Sequence, residues 1–362
     1  MKKVLFGITG LTVGGAERVL VDVANRLCDK YDITIFTIYG KGILQYQLNK
    51  KVHVISLFKY KYQDYNFFQK IGISLKLAFA TKAPTGYDTT IAFLEGPITR
   101  LFAKAKKTKK IAWVHTDISH AFGHGFAAKV KLRIDKRKYK KYNKIIFVSQ
   151  ENRTDFNKVC GKFKNEMVIR NYIDYNHVLS EANQKIKLPF EKDDLNLLTV
   201  CRLHFAKAID RYIRVHARLE KEGLHSKVYI VGDGDLRLSL QKQIDDLGVT
   251  DSFYLLGEKT NPYPYIKACD YFCLLSSFEG SGMVLDEAKI LNKPLIITDT
   301  ASKENVEDYD ACTICVNTED GIYQALKKTI LAYQQNKKIK KTNKQFDKKY
   351  YEDIIQKIES II

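Results

Sequence analysis

Short apolar runs alternate along this chain with amphipathic stretches long enough to form helices. Lys3 to Ile8 reads as a buried strand, and Gly10 to Arg18 as a glycine turn that opens a helix running to about Cys28. Tyr31 to Tyr39, Val52 to Ile55, Thr89 to Leu94 and Lys110 to His115 give further strands. Past Asp174 the text turns polar from Ser180 to Asp194, where a linker is expected. Strand character then restarts at Leu197 to Val200 and returns at Lys227 to Val231, Phe253 to Gly257, Tyr271 to Leu275 and Leu295 to Ile297. Gly321 to Gln334 reads as a helix, and Tyr350 to Ile362 as an amphipathic one with Ile354, Ile355, Ile358 and Ile361 on one face. Strands separated by helix-length segments imply parallel sheets in an α/β protein, and 362 residues suit two domains, each with its own core.

Between Phe58 and Phe79 aromatic residues and lysines interleave, a pattern that fits either a membrane-surface helix or an ordinary core-facing one. Charge sharpens the first option. The chain carries 60 Lys and Arg against 41 Asp and Glu, a net charge of +19, so an acidic partner is expected. The basic letters crowd into Lys104 to Lys110 and Lys129 to Lys144, where only Asp135 offsets the second group; such runs suit an anionic lipid surface. Seven cysteines, an odd number with no secretion signal, point to reduced thiols in a cytoplasm. Cys312 and Cys315 have no second ligand pair nearby and read as small apolar residues.

The chemistry concentrates between Tyr271 and Thr300. A strand ends in Ser276 and Ser277, a turn holding Gly280 and Gly282 follows, and a helix begins at Met283 and stops before Pro294. A helix starting at the C-terminal end of a strand is a ready anion site, because free N–H groups and the positive end of the helix dipole point out of the turn. Glu279 and Glu287 bracket that site and could accept hydrogen bonds from sugar or ribose hydroxyls. Upstream, Arg202 and Lys207 follow another strand, and both can reach one phosphate pair. His115 stands at the C-terminal edge of its strand, facing the crevice of such a sheet.

The letters Ser276-x-x-Glu279-Gly280, Glu287-Ala288 and Pro294 resemble the C-terminal motif of family-four glycosyltransferases (glycosyl transferases group 1), retaining enzymes of GT-B fold. Gly14-Gly15-Ala16-Glu17-Arg18 is similar to the family's N-terminal loop, and Arg202-Leu203 with Lys207 to its Arg-Leu-x-x-x-Lys motif; Ile145 to Ser149 and Val168 to Asp174 resemble its last N-domain strands. The resemblance implies two doubly wound Rossmann-like domains facing a central cleft: an acceptor-binding domain over 1–178, completed by a returning helix at 347–362, and a donor-binding domain over 179–346. It implies that Glu279 faces the donor sugar, that Glu287 binds the ribose, and that Gly280, Ser281, Gly282 and Met283 meet the diphosphate alongside Arg202 and Lys207. Backbone near Lys259 would meet the base, His115 would contact the sugar, and Gly14 and Gly15 would let acceptor and sugar approach the chain. His120 and His124 would belong to the acceptor side. Ser281, Asn292 and Ala208 depart from the usual aromatic or leucine, glycine and glycine.

Asp233-x-Asp235 sits in a Gly-Asp-Gly turn shared by metal-independent members, so no metal and no cofactor is expected. The partners expected are a nucleotide-sugar, with a UDP-sugar as working choice, a lipid-linked glycan acceptor and an anionic membrane surface, but no nucleic acid. The expected location is cytoplasmic, peripheral on the inner face of the cytoplasmic membrane. The rival readings are a sugar-nucleotide epimerase or a phosphorylase on the same fold, and a basic nucleic-acid-binding protein.

Overall fold

The computed structural model describes all residues except 13, 41, 61–63, 78–81, 116–134, 192, 280–281 and 336–347. The chain divides into two compact units, Met1–Ile173 with Tyr351–Ile362, and Asp174–Tyr350.

In the first unit the strands are β1 (Lys3–Ile8), β2 (Asp32–Tyr39), β3 (His53–Phe58), β4 (Thr89–Ala92), β5 (Lys109–Val114), β6 (Lys144–Phe147) and β7 (Glu166–Val168). Among the described residues its helices include α1 (Gly15–Leu27), α2 (Phe67–Leu75), α3 (Pro97–Phe102) and α4 (Gln150–Cys160). Among the described residues the strands form one parallel sheet in the order β3-β2-β1-β4-β5-β6-β7. The chain therefore builds outward from β1 in one direction and then, from β4, in the other. At that reversal the connections leave on opposite faces and open a crevice at the C-terminal edge. The central strands are buried on both faces, as Val4, Leu5, Phe6, Ile111, Ala112 and Trp113 show, which explains their continuous apolar lettering.

The second unit repeats the plan. Helix α5 (Tyr175–Ala182) precedes β8 (Asn196–Val200), and then α6 (Ile209–Lys221), β9 (Lys227–Val231), α7 (Arg237–Asp246), β10 (Phe253–Gly257), α8 (Tyr263–Ala268), β11 (Tyr271–Leu274), α9 (Met283–Ile290), β12 (Leu295–Thr298), β13 (Cys312–Cys315) and α10 (Glu319–Gln334) follow. Its parallel order is β10-β9-β8-β11-β12-β13, with the reversal between β8 and β11.

Three expectations need correction. The last strand of the first unit is Glu166–Val168, and the letters from Ile169 to Asp174 are irregular: Asp174 caps α5 by accepting the His177 N–H at 3.0 Å. The polar stretch from Ser180 is not wholly a linker, since Ser180 to Ala182 end α5, and α5 belongs to the second unit, so the division falls at Asp174 rather than at 178. Asp135 does not offset surface lysines. It is buried and receives Nε and Nη2 of Arg100 at 2.6 and 2.8 Å.

The last helix, α11 (Lys348–Ile361), buries Tyr351, Ile354, Ile355, Ile358 and Ile361, and its closing residues are part of the first unit. There the Thr89 hydroxyl donates to the carbonyl of Ile362 at 2.9 Å, and Arg26 and Lys30 of that unit pair with Glu352 and Glu359 at 2.6 and 2.7 Å.

Candidate active site

Because β8 and β11 are neighbours at the reversal, the loops that follow them emerge side by side at the C-terminal edge. Backbone N–H groups of Ser277 and Phe278 both donate to the carbonyl of Ala206, at 2.9 and 3.3 Å, which stitches the two loops together. Across that seam Lys207 donates to the carboxylate of Glu279, with both side chains largely shielded from solvent. Two residues far apart in sequence thus form one charged pair. An ammonium has three N–H donors, so Lys207 retains capacity for a further anion. Arg202 is not part of the pair: its side chain is 71% exposed, and its nearest carboxylate, on Asp235, lies 3.9 Å away. Such an exposed contact holds an arginine weakly.

Immediately after Glu279 the chain enters α9. Gly282 adopts φ +45°, and a Cβ there would come within 3.0 Å of Ser302, so both conformation and space favour glycine. Met283 is the first helical residue, and the first N–H groups of a helix have no acceptor further back within it. Gly280 and Ser281 lie outside the described residues. On α9, Glu287 accepts the Tyr263 hydroxyl at 3.1 Å and stays half-exposed. Its neighbour Asp286 turns inward instead, 2.6 Å from buried Lys289, which also donates to the carbonyl of Asn305. Lys259 is on the loop that leaves β10.

The letters gave no sign of what holds the β11 loop. Nη2 of Arg211 donates to the carbonyl of Leu275 at 3.0 Å and to Oδ1 of Asn317 at 2.8 Å, while Asn317 donates its amide to the carbonyl of Ser277 at 3.0 Å. Thr298 donates its hydroxyl to the carbonyl of Ser276 at 2.6 Å. Arg211, Asn317, Thr298 and Tyr263 are thus site residues that motif reading passed over. They sit on segments distant in sequence, Arg211 on α6, Tyr263 on α8, Thr298 on β12 and Asn317 between β13 and α10, where only the fold brings them together. A cavity of about 500 Å³ lies beside the seam, lined in part by Phe205, Ala208, Arg211, Arg214 and Gln243, and it includes neither Lys207 nor Glu279.

In the first unit Gly14 caps α1 and Gly15 begins it. The carboxylate of Glu17 folds back so closely that a Cβ on Gly14 would meet it at 2.3 Å, and burial raises its pKa. His115 follows β5 directly, and its backbone N–H donates to the carboxylate of Glu95, at the end of neighbouring β4. Its ring stands 4.6 Å from Phe93 and 6.0 Å from Trp113 between centroids. Burial in this aromatic setting pushes its pKa down to about 3, so the imidazole is neutral. Nε2 of His115 and Nε1 of Trp113 are buried with no hydrogen-bond partner among the described residues, an arrangement that is uncommon for buried polar atoms. His120 and His124 lie outside the described residues.

The Asp233-x-Asp235 pair is turned to other uses. Asp233 accepts the N–H of Gly234 at 2.7 Å and lies 3.8 Å from Arg237, while Asp235 faces Arg202. Cys312 and Cys315 are three apart on β13, which places them on opposite faces of the strand; burial raises both pKa values, to about 12 and about 11. All seven cysteines are free thiols.

Residues 13–177 match the family described as Glycosyltransferase Family 4, and residues 180–352 match Glycosyl transferases group 1. The chain is 27% identical over 365 residues, 96% of its own length and of the relative's, to the N-acetylgalactosamine-N,N'-diacetylbacillosaminyl-diphospho-undecaprenol 4-alpha-N-acetylgalactosaminyltransferase of Campylobacter jejuni. It is 28% identical over 206 residues to an uncharacterized glycosyltransferase of Methanocaldococcus jannaschii, which spans 56% of this chain and about half of that protein, 51%. Among solved structures, Anabaena Alr3699/HepE in complex with UDP superposes with a TM-score of 0.74 at 18% identity over 99% of each chain. The fold is thereby that of GT-B glycosyltransferases.

Proposed function

Since the chain belongs to the family-four, group 1 glycosyltransferases, we propose that it moves a sugar from a nucleotide-diphosphate sugar to a hydroxyl of a lipid-linked glycan, with the anomeric configuration retained. The observation that carries this reading is the seam between β8 and β11, where Lys207, Glu279 and the start of α9 converge. In this reading the donor diphosphate lies against the start of α9 at Met283, with Gly282 giving the close approach and Gly280 and Ser281 assigned to the same contact. Lys207 and the exposed Arg202 would neutralise its charge. Glu287, oriented by Tyr263, would receive ribose hydroxyls, and backbone near Lys259 would meet the base. A UDP-sugar is the proposed donor; the bound UDP of the Anabaena structure supports that choice. Gly14, Gly15 and His115 are assigned to the acceptor and the sugar. The undecaprenol-linked substrate named for the Campylobacter relative supports a lipid-linked acceptor in polysaccharide or glycoconjugate synthesis.

The proposed reaction breaks the bond between the sugar's anomeric carbon and the leaving diphosphate. The acceptor oxygen bonds the same carbon on the same face, and its proton passes to the leaving phosphate oxygen. Arg202, Lys207 and the α9 dipole stabilise the charge that develops there. Glu279 is engaged by Lys207, and so orients the sugar rather than acting as a base on the opposite face. No divalent metal is needed in this scheme, because cationic side chains and backbone take its place and Asp233 and Asp235 face arginines. No helix among the described residues is long and apolar enough to cross a membrane, and the proposed location is peripheral, on the cytoplasmic face.

The test is the product's anomeric proton coupling, read by NMR after reaction in excess EDTA. A retained configuration at undiminished rate is expected. An inverted anomer, or activity abolished by EDTA and restored by manganese, would overturn the mechanism.

A further inference from the structure

Helix α2 turns its largest side chains to water. Phe67 and Phe68 are 71% and 81% exposed, and Ile71 and Leu75 are 44% and 55% exposed. At about 100° per residue these four share one arc of about 100°. Buried Ile73 stands on the opposite side and ties the helix to its unit. The arrangement is set locally: Asn66 accepts the N–H of Gln69 and Gln69 accepts that of Asn66, each at 2.9 Å, a reciprocal cap that fixes the helix start. Lys70 and Lys76 border the apolar arc on either side, and Tyr60, 43% exposed, lies at the mouth of the same connection.

Charge distribution says what this face meets. The first unit carries 34 Lys and Arg against 15 Asp and Glu, whereas the second carries 26 of each, so the entire net charge of +19 belongs to the unit that presents α2. A wide apolar face bordered by lysines, on a unit of strong positive charge, is the pattern of an interfacial helix on anionic lipid. Its place in the fold agrees. All strands of the sheet are parallel, and α2 follows the C-terminal end of β3, so its aromatic start lies at the edge that also carries Gly14, Gly15 and His115. The basic runs do not share that edge. Exposed Lys104, Lys106 and Lys107 precede β5, and exposed Lys136, Arg137, Lys140 and Lys141 precede β6, at the opposite end of the sheet.

We propose that α2 is the membrane-docking element of this protein, with Phe67, Phe68, Ile71 and Leu75 immersed at the headgroup boundary of an anionic bilayer. The inference deepens the reading of a lipid-linked acceptor, because docking through this edge would bring a lipid carrier to the side of the sheet where Gly14 and His115 stand. Insertion of the arc fixes the orientation, and the basic runs add attraction at longer range.

The experiment is flotation of the whole protein with phosphatidylglycerol vesicles and with phosphatidylcholine vesicles. Wild type should bind the first, and Phe67→Ser/Phe68→Ser should lose roughly tenfold or more in partitioning, while Lys104→Ala/Lys106→Ala/Lys107→Ala should lose less. Phe68→Trp should show a blue-shifted emission on adding the anionic vesicles, against the background of buried Trp113. Wild type that fails to bind, a double variant that binds undiminished, or an emission that does not move would overturn the proposal. So would self-association of wild type without vesicles that the double variant abolishes, because the face would then serve a second copy of the chain. UDP binding by the same variants, measured by calorimetry, reports separately on the transferase reading and should be unchanged.

Discussion

Lys207 and Arg202, the two cations proposed to hold the diphosphate, stand in very different surroundings. Lys207 is shielded and already fixed against Glu279, whereas Arg202 stands in solvent with a distant carboxylate for company. Removing either, as Lys207→Ala or Arg202→Ala, should weaken UDP binding and turnover by roughly 1.5 to 3 kcal/mol for each charge-assisted hydrogen bond lost. Calorimetry and initial rates check this, and unchanged values in both variants would remove them from the site. His115 carries a pH signature. Its folded pKa of about 3 lies below the ordinary 6.5, so the unfolded chain takes up a proton that the folded chain refuses. The stability that results is complete above pH 6.5 and is lost as pH falls from there toward 3. His216, lowered to about 4 by burial in the second unit, acts in the same direction. Denaturant midpoints across that window should decline for wild type and decline less for His115→Gln. The Ala208 and Asn292 departures have a backbone meaning, since both occupy left-handed φ, of +49° and +54°. Glycine takes that conformation freely, and asparagine bears it better than alanine.

Among elements, the β11 loop depends on neighbours that no local pattern announces. Arg211 reaches it from α6 and Asn317 from the segment before α10, and the two are joined to each other as well as to the loop. Loops are held on rigid elements when their position matters to chemistry. Arg211→Ala should therefore lower kcat by about tenfold or more through misplacement of Glu279, with a smaller change in the KM for donor, and Arg211→Lys should restore little because a point charge cannot repeat the forked contacts. Steady-state kinetics with each variant decide the matter; an unchanged kcat in Arg211→Ala would show that the loop holds its place without the clamp.

For the molecule as a whole, α11 is a late stretch of chain that completes the first core. Tyr351 and four isoleucines are buried there, and each buried isoleucine contributes roughly 1.5 to 3 kcal/mol. The ion pairs of Glu352 and Glu359 are partly exposed and are worth little by comparison. Ile358→Asp, or removal of Tyr351–Ile362, should make the first unit unfold or collect in the insoluble fraction, whereas Arg26→Ala should shift the thermal midpoint only slightly. Solubility and thermal unfolding of the three proteins test this contrast, and a soluble, cooperatively folded truncation would show that the core closes without the helix.

Periodicity and punctuation in the letters were enough to place the strands, because strands buried on both faces must be apolar throughout and the glycine turns between them cannot be disguised. Motif spacing likewise singled out Glu279, Glu287, Arg202, Lys207 and Gly282 as candidates, since a turn suited to phosphate needs small residues and charges within a few letters of one another. The contacts that make a site of them were decided by tertiary structure. That Lys207 meets Glu279 follows from β8 and β11 being neighbours, and β8 precedes two other strands before β11 appears. Tyr263, Arg211, Asn317 and Thr298 were unreadable for the same reason, as a hydrogen bond between distant segments leaves no period in either. The mixed letters of α2 were ambiguous in a different way: an apolar arc looks alike whether it faces a core or a lipid. Only the fold, by burying Ile73 and leaving Phe67 and Phe68 in water, showed that this arc does not face the core.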